Sequence, residues 1–258
     1  MTIFVVKPKM PEYPNAKFPG VVVWSEIYNV TGPVLRFANS IASQGYIVAC
    51  PVVFHEFTGP AALAYDVPGT DAGNAYKVKK VLSAYDEDAK KAVDLLMEHK
   101  NCNGRIGTTG MCLGGHLAFR IGLYLNQRRI CRPRHASYSE SDIHNGALSS
   151  TGDDSLVRAS KGDLKGEVVL IFGTQDGHVP LAGRNLIRQQ LNSAGLKMTF
   201  LELQANHAFI RDELSKGRFD AAISKVCFEL LLETFGRTIG RDLGERVVQS
   251  KGDEKLVC

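Results

Sequence analysis

The chain has 258 residues, 44% of them hydrophobic and 22% charged, which suits one large α/β domain or two small ones. Its formal net charge of +4 is not massed on any predicted helix and gives no case for nucleic-acid binding. No apolar run reaches the roughly 18 residues of a membrane span, and Met1 to Pro8 lacks the basic start and long apolar core of a signal peptide.

Six cysteines, at 50, 102, 112, 131, 227 and 258, show no CxxC spacing. They read as reduced thiols, and a cytoplasmic location is the expectation. Residues 1–19 hold one short apolar run and then four prolines, which predicts an edge strand and an extended connection. Gly20 to Trp24 is short, β-branched and uncharged, as a strand buried on both faces should be. Glu26 follows at once. A carboxylate directly after a buried parallel strand is unusual, although the plainer reading is a solvated loop residue. Thr31-Gly32-Pro33 opens a helix with an apolar stripe of Val34, Phe37, Ala38, Ile41 and Ala42, closed by Gly45. Tyr46 to Cys50 is the next strand, with Cys50 a core thiol. Residues 51–85 read as one long connection, of the kind that forms a lid or pocket wall. Asp86-Glu87-Asp88 then starts a helix with an acidic first turn that buries Ala89, Ala92, Val93, Leu96 and Met97.

Arg105 to Thr109 is β-compatible, and Leu113 to Leu125 is apolar and helix-compatible. Between them stands Gly110-Met111-Cys112-Leu113-Gly114-Gly115. A strained strand-to-helix turn needs small residues two before and two after its apex, because backbones approach closely there. Gly110 and Gly114 meet that need around Cys112, where a serine is usual. Glu167 to Gly173 and Met198 to Leu203 are further strands. The helix between them ends at Gly195, and a last helix runs from about Arg218 to Phe235. The tail beyond Gly240 is charged and peripheral. Strands alternate with helices without an internal repeat. This predicts a single α/β domain over 1–258, with a mostly parallel sheet and helices on both faces.

Cys112, Asp176 and His207 each follow a predicted strand, and their order is that of nucleophile, acid and histidine in the α/β-hydrolase fold. The histidine takes the thiol proton, and the aspartate fixes its tautomer and stabilises imidazolium. The N–H of Leu113, directly after the nucleophile, is the first oxyanion donor, and that of Ile27 the second. Each residue alone has a plainer reading: a structural cysteine in a turn, a capping aspartate, a satisfied loop histidine. Order and position together favour catalysis. His178 is the rival histidine, two residues from Asp176. His116 is expected to pack on the elbow helix. Asp142 and His144 suggest a metal pair without further ligands, so no metal or other cofactor is expected.

At these residues the chain resembles the dienelactone hydrolase family, the carboxymethylenebutenolidase-like α/β hydrolases, and especially its fungal cytosolic members. The likeness rests on Phe18 to Phe37, Tyr65 to Asp86, the elbow from Arg105 to Arg120, Val168 to Gly173, and His207 to Glu213. It implies Cys112, Asp176 and His207 as the triad, and a small-molecule ester or lactone as substrate. It also gives Glu26 a role: a glutamate that contacts the resting thiol and is reorganised by substrate so that thiolate forms. Arg211 matches the arginine that pairs with this glutamate and receives a substrate carboxylate.

Two departures stand out. The family's second substrate-binding arginine falls at Ala72, four residues before Tyr76, and Lys77, Lys79 or Lys80 is left to supply that charge. A doubly wound sheet also needs a buried strand within 121–138, where Asn126 to His135 carries four arginines and a proline. That stretch is either a divergent basic loop, able to meet an acidic partner, or a segment read out of frame between two compensating errors. The abrupt change between family-like flanks favours the second. The alternative to an enzyme is a catalytically silent binding or thiol-sensing protein that kept the fold.

Overall fold

The computed structural model describes residues 1–125, 136–139, 152–164 and 166–240. Seven strands form one sheet in the order β1-β3-β2-β4-β5-β6-β7. The edge strand β1 (Ile3–Val6) runs antiparallel to β3 (Ile47–Pro51), and every other pairing is parallel. β2 (Phe18–Trp24) is the uncharged run read from the sequence. Its Val21, Val22 and Val23 are fully buried, each worth about 1.5–3 kcal/mol of burial.

The chain leaves β2 in one direction to make β3 and returns across it to make β4 (Cys102–Gly110). The carboxyl ends of β2 and β4 therefore flank the topological switch point, with Trp24 opposite Gly110, and ligands bind outside such a point. Helix α1 (Gly32–Ser43) joins β2 to β3, with Pro33 in its first turn and Gly45 at a φ of 89° just past its end.

The connection over 51–85 contains more structure than its composition suggests. It holds the short α2 (His55–Thr58) and the 13-residue α3 (Val67–Lys79), capped by Asp66, whose side chain accepts the Gly69 N–H at 2.8 Å. The following helix α4 spans Leu82–Glu98, so Asp88 is not in an exposed first turn. It lies mid-helix and buried, bonded to Lys80 Nζ at 2.5 Å. Lys80 is itself fully buried and donates to the Val53 carbonyl at 2.7 Å, which ties α3 and α4 to the end of β3.

After β4 comes α5 (Leu113–Leu125), and then β5 (Ala136–Ser139), which fills the slot between β4 and β6 (Glu167–Gly173). The strand that fills this slot thus lies just beyond the arginine-rich stretch. Residues 126–135 fall outside the described residues, and so do Asp142, His144 and the tail from 241. Helix α6 (Ser155–Ser160) precedes β6. Helix α7 (Leu181–Ser193) and β7 (Met198–Leu203) follow it, and α8 (Ala221–Thr238) closes the described chain, starting three residues later than its composition predicts.

One apolar core joins β2, β3, β6 and α8 on one side of the sheet. On the other side α5 straddles two cores, with Leu117 and Ile121 in one and Phe119 and Leu123 in the other. Among the described residues, no helix is long and apolar enough to cross a membrane.

Candidate active site

β4 delivers Cys112 to the start of α5 with a φ of 58°, in the left-handed region that costs a non-glycine residue about 1–2 kcal/mol. Its surroundings impose that conformation. A Cβ on Gly110 would stand 2.2 Å from the Gly114 carbonyl oxygen, and one on Gly114 would stand 2.2 Å from that of Trp24. Only glycines let the end of β4, the first turn of α5 and the end of β2 meet. The Leu113 amide opens α5, where the helix dipole favours negative charge. Among the described residues neither it nor the Ile27 amide makes a backbone hydrogen bond. Ile27 is seated by α3: a Cβ on Gly73 would lie 2.3 Å from the Ile27 carbonyl oxygen.

Asp176 and His207 arrive from β6 and β7, which end side by side, Gly173 opposite Leu203. The loops are tied by Thr174 N–H to the Leu203 carbonyl at 2.8 Å and Gln175 N–H to that of Ala205 at 3.0 Å. His207 Nδ1 lies 2.8 Å from Asp176 Oδ2, and the other oxygen of this buried carboxylate accepts the His178 N–H at 2.7 Å. With Nδ1 engaged by the carboxylate, proton exchange falls to Nε2. The rival His178 meets Asp176 through its backbone, and its ring lies 4.4 Å from that of His207, centre to centre.

Glu26 is not a solvated loop residue. It is 2% exposed, with Oε1 3.3 Å from Arg211 Nη1 and Oε2 accepting the Tyr65 hydroxyl at 3.1 Å. Burial raises its carboxyl above the usual range, and Arg211 and Tyr65 offset this only in part. Among the described residues, the hydrogen bonds of its two oxygens go to Arg211 and Tyr65. Arg211 is buried too. Its guanidinium stacks over Tyr65 at 4.3 Å and donates to the Leu214 carbonyl at 3.2 Å, while its Nε has no partner. Tyr65, whose hydroxyl is 2.7 Å from that of Thr31, carries no motif that would single it out in the sequence.

The site opens on one cleft of about 190 Å³. Glu26, Cys112, His207 and Arg211 meet there with His178 and with Thr70, Asn74 and Lys77 from one face of α3. Of the three lysines considered as substitutes for the missing arginine, only Lys77 reaches this cleft. Lys80 is sealed in the core, and Lys79 lies over the Phe57 ring. Lys216 and Arg218 also line the cleft, two cations that no spacing rule flagged.

The sequence pattern of the dienelactone hydrolase family matches residues 2–239. The chain belongs to the dienelactone hydrolase family. It is 54% identical over 252 residues to a "Putative carboxymethylenebutenolidase" of Saccharomyces cerevisiae, covering 96% of this chain and 90% of that one. It is 24% identical over 211 residues to the carboxymethylenebutenolidase of Pseudomonas putida, covering 78% of this chain and 79% of that one. The crystal structure titled as a putative dienelactone hydrolase from Klebsiella pneumoniae superposes with a TM-score of 0.68 at 21% identity, covering 91% and 92% of the two chains. That likeness establishes the α/β-hydrolase fold for this family member.

Proposed function

We propose that this family member hydrolyses an ester or lactone through attack of the Cys112 thiolate on the carbonyl carbon. The thiol proton ends on Nε2 of His207, directly or by way of Glu26, and the N–H groups of Leu113 and Ile27 receive the oxyanion. Collapse of the tetrahedral adduct expels the alkoxide, which leaves with a proton from His207. Water, deprotonated by His207, then resolves the acyl-thioester. Asp176 holds the imidazole and balances its charge. The substrate is a small molecule with its carboxylate, where it has one, directed to Arg211. The mechanism calls for no cofactor, nucleic acid or membrane. The four described cysteines are free thiols, consistent with a reducing compartment such as the cytoplasm.

The observation that carries this reading is a strained cysteine at a helix N-terminus sharing one cleft with a hydrogen-bonded His–Asp pair. Glu26 adds a reserve mechanism. While Arg211 and Tyr65 hold it, its raised proton affinity has no route to the thiol. A substrate carboxylate that takes over Arg211 frees it to accept the thiol proton, which limits the time an oxidisable thiolate is exposed.

The test is a hydrolysis screen of carboxylated lactones against simple aryl esters, with iodoacetamide labelling located by mass spectrometry. Turnover with labelling at Cys112 that depends on His207 is the expected result. Labelling at Cys112 that ignores His207, with no turnover, would leave an exposed thiol and reject the enzyme.

A further inference from the structure

Lys216 and Arg218 leave the loop after His207 and face the cleft, while the acids of the same loop do not. Asp212 and Glu213 are turned outward onto Arg36 of α1, at 2.8 Å each. The loop thus sorts its charges, acids to the outer surface and bases to the cleft. Among the described residues neither Lys216 nor Arg218 makes an ion pair with a carboxylate; Arg218 bonds only the Ser215 carbonyl, through Nε at 2.9 Å. Lys77 lines the same cleft from α3. The acids lining or backing the cleft are already engaged, Glu26 by Arg211 and Asp176 by His207. Cations of like sign lining one small cleft repel one another unless an anion stands between them.

The loop is built, not slack. Leu214, Lys216 and Gly217 have φ values of 48°, 54° and 76°, two of them non-glycine residues in the left-handed region. That conformation is fixed from several sides. Arg211 donates to the Leu214 carbonyl at 3.2 Å, and the Arg218 N–H to that of Ser215 at 3.2 Å. The Ser215 hydroxyl accepts the Phe219 N–H at 3.1 Å. Backbone strain held in this way clusters at ligand clamps. Arg211 supplies a second, independent sign of a ligand: a buried guanidinium whose Nε has no partner and whose one carboxylate contact is a long 3.3 Å.

We propose that Lys77, Lys216 and Arg218 form a second anion subsite beside Arg211, and that the substrate is an ester or lactone carrying two carboxylates. One replaces Glu26 on Arg211, and the other is held by the three cations. This rests on the ester-hydrolase reading, and it replaces the family's second arginine with cations from α3 and the 214–218 loop. Neutral esters and monoacids lose the added anchor, so the subsite sets selectivity.

Binding is measured by calorimetry on the full chain bearing Cys112→Ala, so the result does not depend on the nucleophile. The probes are malonate, succinate, glutarate and adipate, each against the monocarboxylate of equal length, at low salt and at 0.3 M salt. At least one diacid is expected to bind tenfold or more tighter than its monoacid, with the preference shrinking in salt. Lys216→Gln/Arg218→Gln should abolish the preference, and Lys216→Arg/Arg218→Lys should retain most of it. No diacid preference, or one that survives the double glutamine substitution, overturns the subsite. Hydrolysis by the Cys112→Ala protein would instead overturn the nucleophile and leave the binding result standing.

Discussion

Two ionic clusters flank the elbow helix, and they are built to opposite standards. Beneath α5, His116 Nε2 lies 2.8 Å from Asp153 Oδ2, and both side chains are almost fully buried. Arg120, one turn on, binds Asp86 through two bonds of 2.6 and 2.7 Å, Asp154 at 2.7 Å and the Ser155 hydroxyl at 3.0 Å. Burial alone would raise the Asp153 carboxyl, but His116 and Ser155 hold it below its usual range. On the cleft side, Glu26 and Arg211 are as deeply buried, yet their contact is 3.3 Å, the arginine has an orphan Nε, and the glutamate is pushed upward. The first cluster is fully bonded and can only be broken. The second leaves capacity unspent, as a site must if a ligand is to rearrange it.

The comparison can be broken first at the chemistry. Cys112→Ala should lower kcat/KM by about 10⁴ or more and abolish a trapped acyl-enzyme, with thermal stability retained. Activity near the wild-type level would reject the mechanism. The bonded cluster should answer in the other currency. Asp153→Ala leaves His116 and Arg120 short of a buried partner and should cost about 3–5 kcal/mol in urea unfolding. Its folded fraction should keep kcat/KM within about threefold, since Asp153 does not line the cleft.

Glu26→Gln should do the reverse, losing about 10- to 100-fold in kcat/KM, with a stability change of about 1 kcal/mol. A stability loss as large as that of Asp153→Ala would erase the distinction. Tyr65→Phe is the finer probe. The hydroxyl helps hold Glu26 ionised, so its loss raises the carboxyl further. The acidic limb of kcat/KM should move to higher pH, with a rate loss of only a few-fold at the optimum. Smallest is the acid response of the bonded cluster. The folded Asp153 carboxyl titrates below its unfolded value of 3.8, so the unfolded chain binds more protons in that window. Its contribution is complete above the unfolded value and is lost as pH falls through the folded one. Asp153→Asn should show a shallower fall of unfolding free energy as pH drops below about 4.

What could be read from the sequence follows from what kind of signal each element carries. β6 and β7 were legible to the residue, because short apolar-rich runs between glycines and turn residues have few other uses. Cys112, Asp176 and His207 were legible because a parallel sheet places every post-strand loop on one edge. Helix α3 was not. Its cleft-facing positions are Thr70, Asn74 and Lys77, and Gly73 packs on Ile27, so it lacks the apolar stripe by which helices are recognised. β5 was sought as an apolar run and instead reads Ala-Ser-Tyr-Ser. Tyr65, Lys216 and Arg218 obey no spacing because loops carry them, Tyr65 to Glu26 and Arg211 and the two cations to the cleft. His116 was expected to pack on the elbow helix. It does, but in a buried ion pair whose partner lies 37 residues away, which periodicity cannot show.

The shortness of β5 has a mechanical consequence. It meets β4 at three residue pairs and β6 at four, whereas β6 and β7 share six. Among the described residues the two ladders of β5 are short, as is the three-pair ladder of β2 and β3, and the cleft is assembled across β5. Cys112 and Glu26 stand on one bank, and Asp176 and His207 on the other. The two banks are braced by α5 on one face and by the core under α8 on the other. The span between thiol and imidazole is therefore set by how stiffly these helices hold the strands between the two banks. A small flexing there would uncouple nucleophile from base while every strand stayed folded.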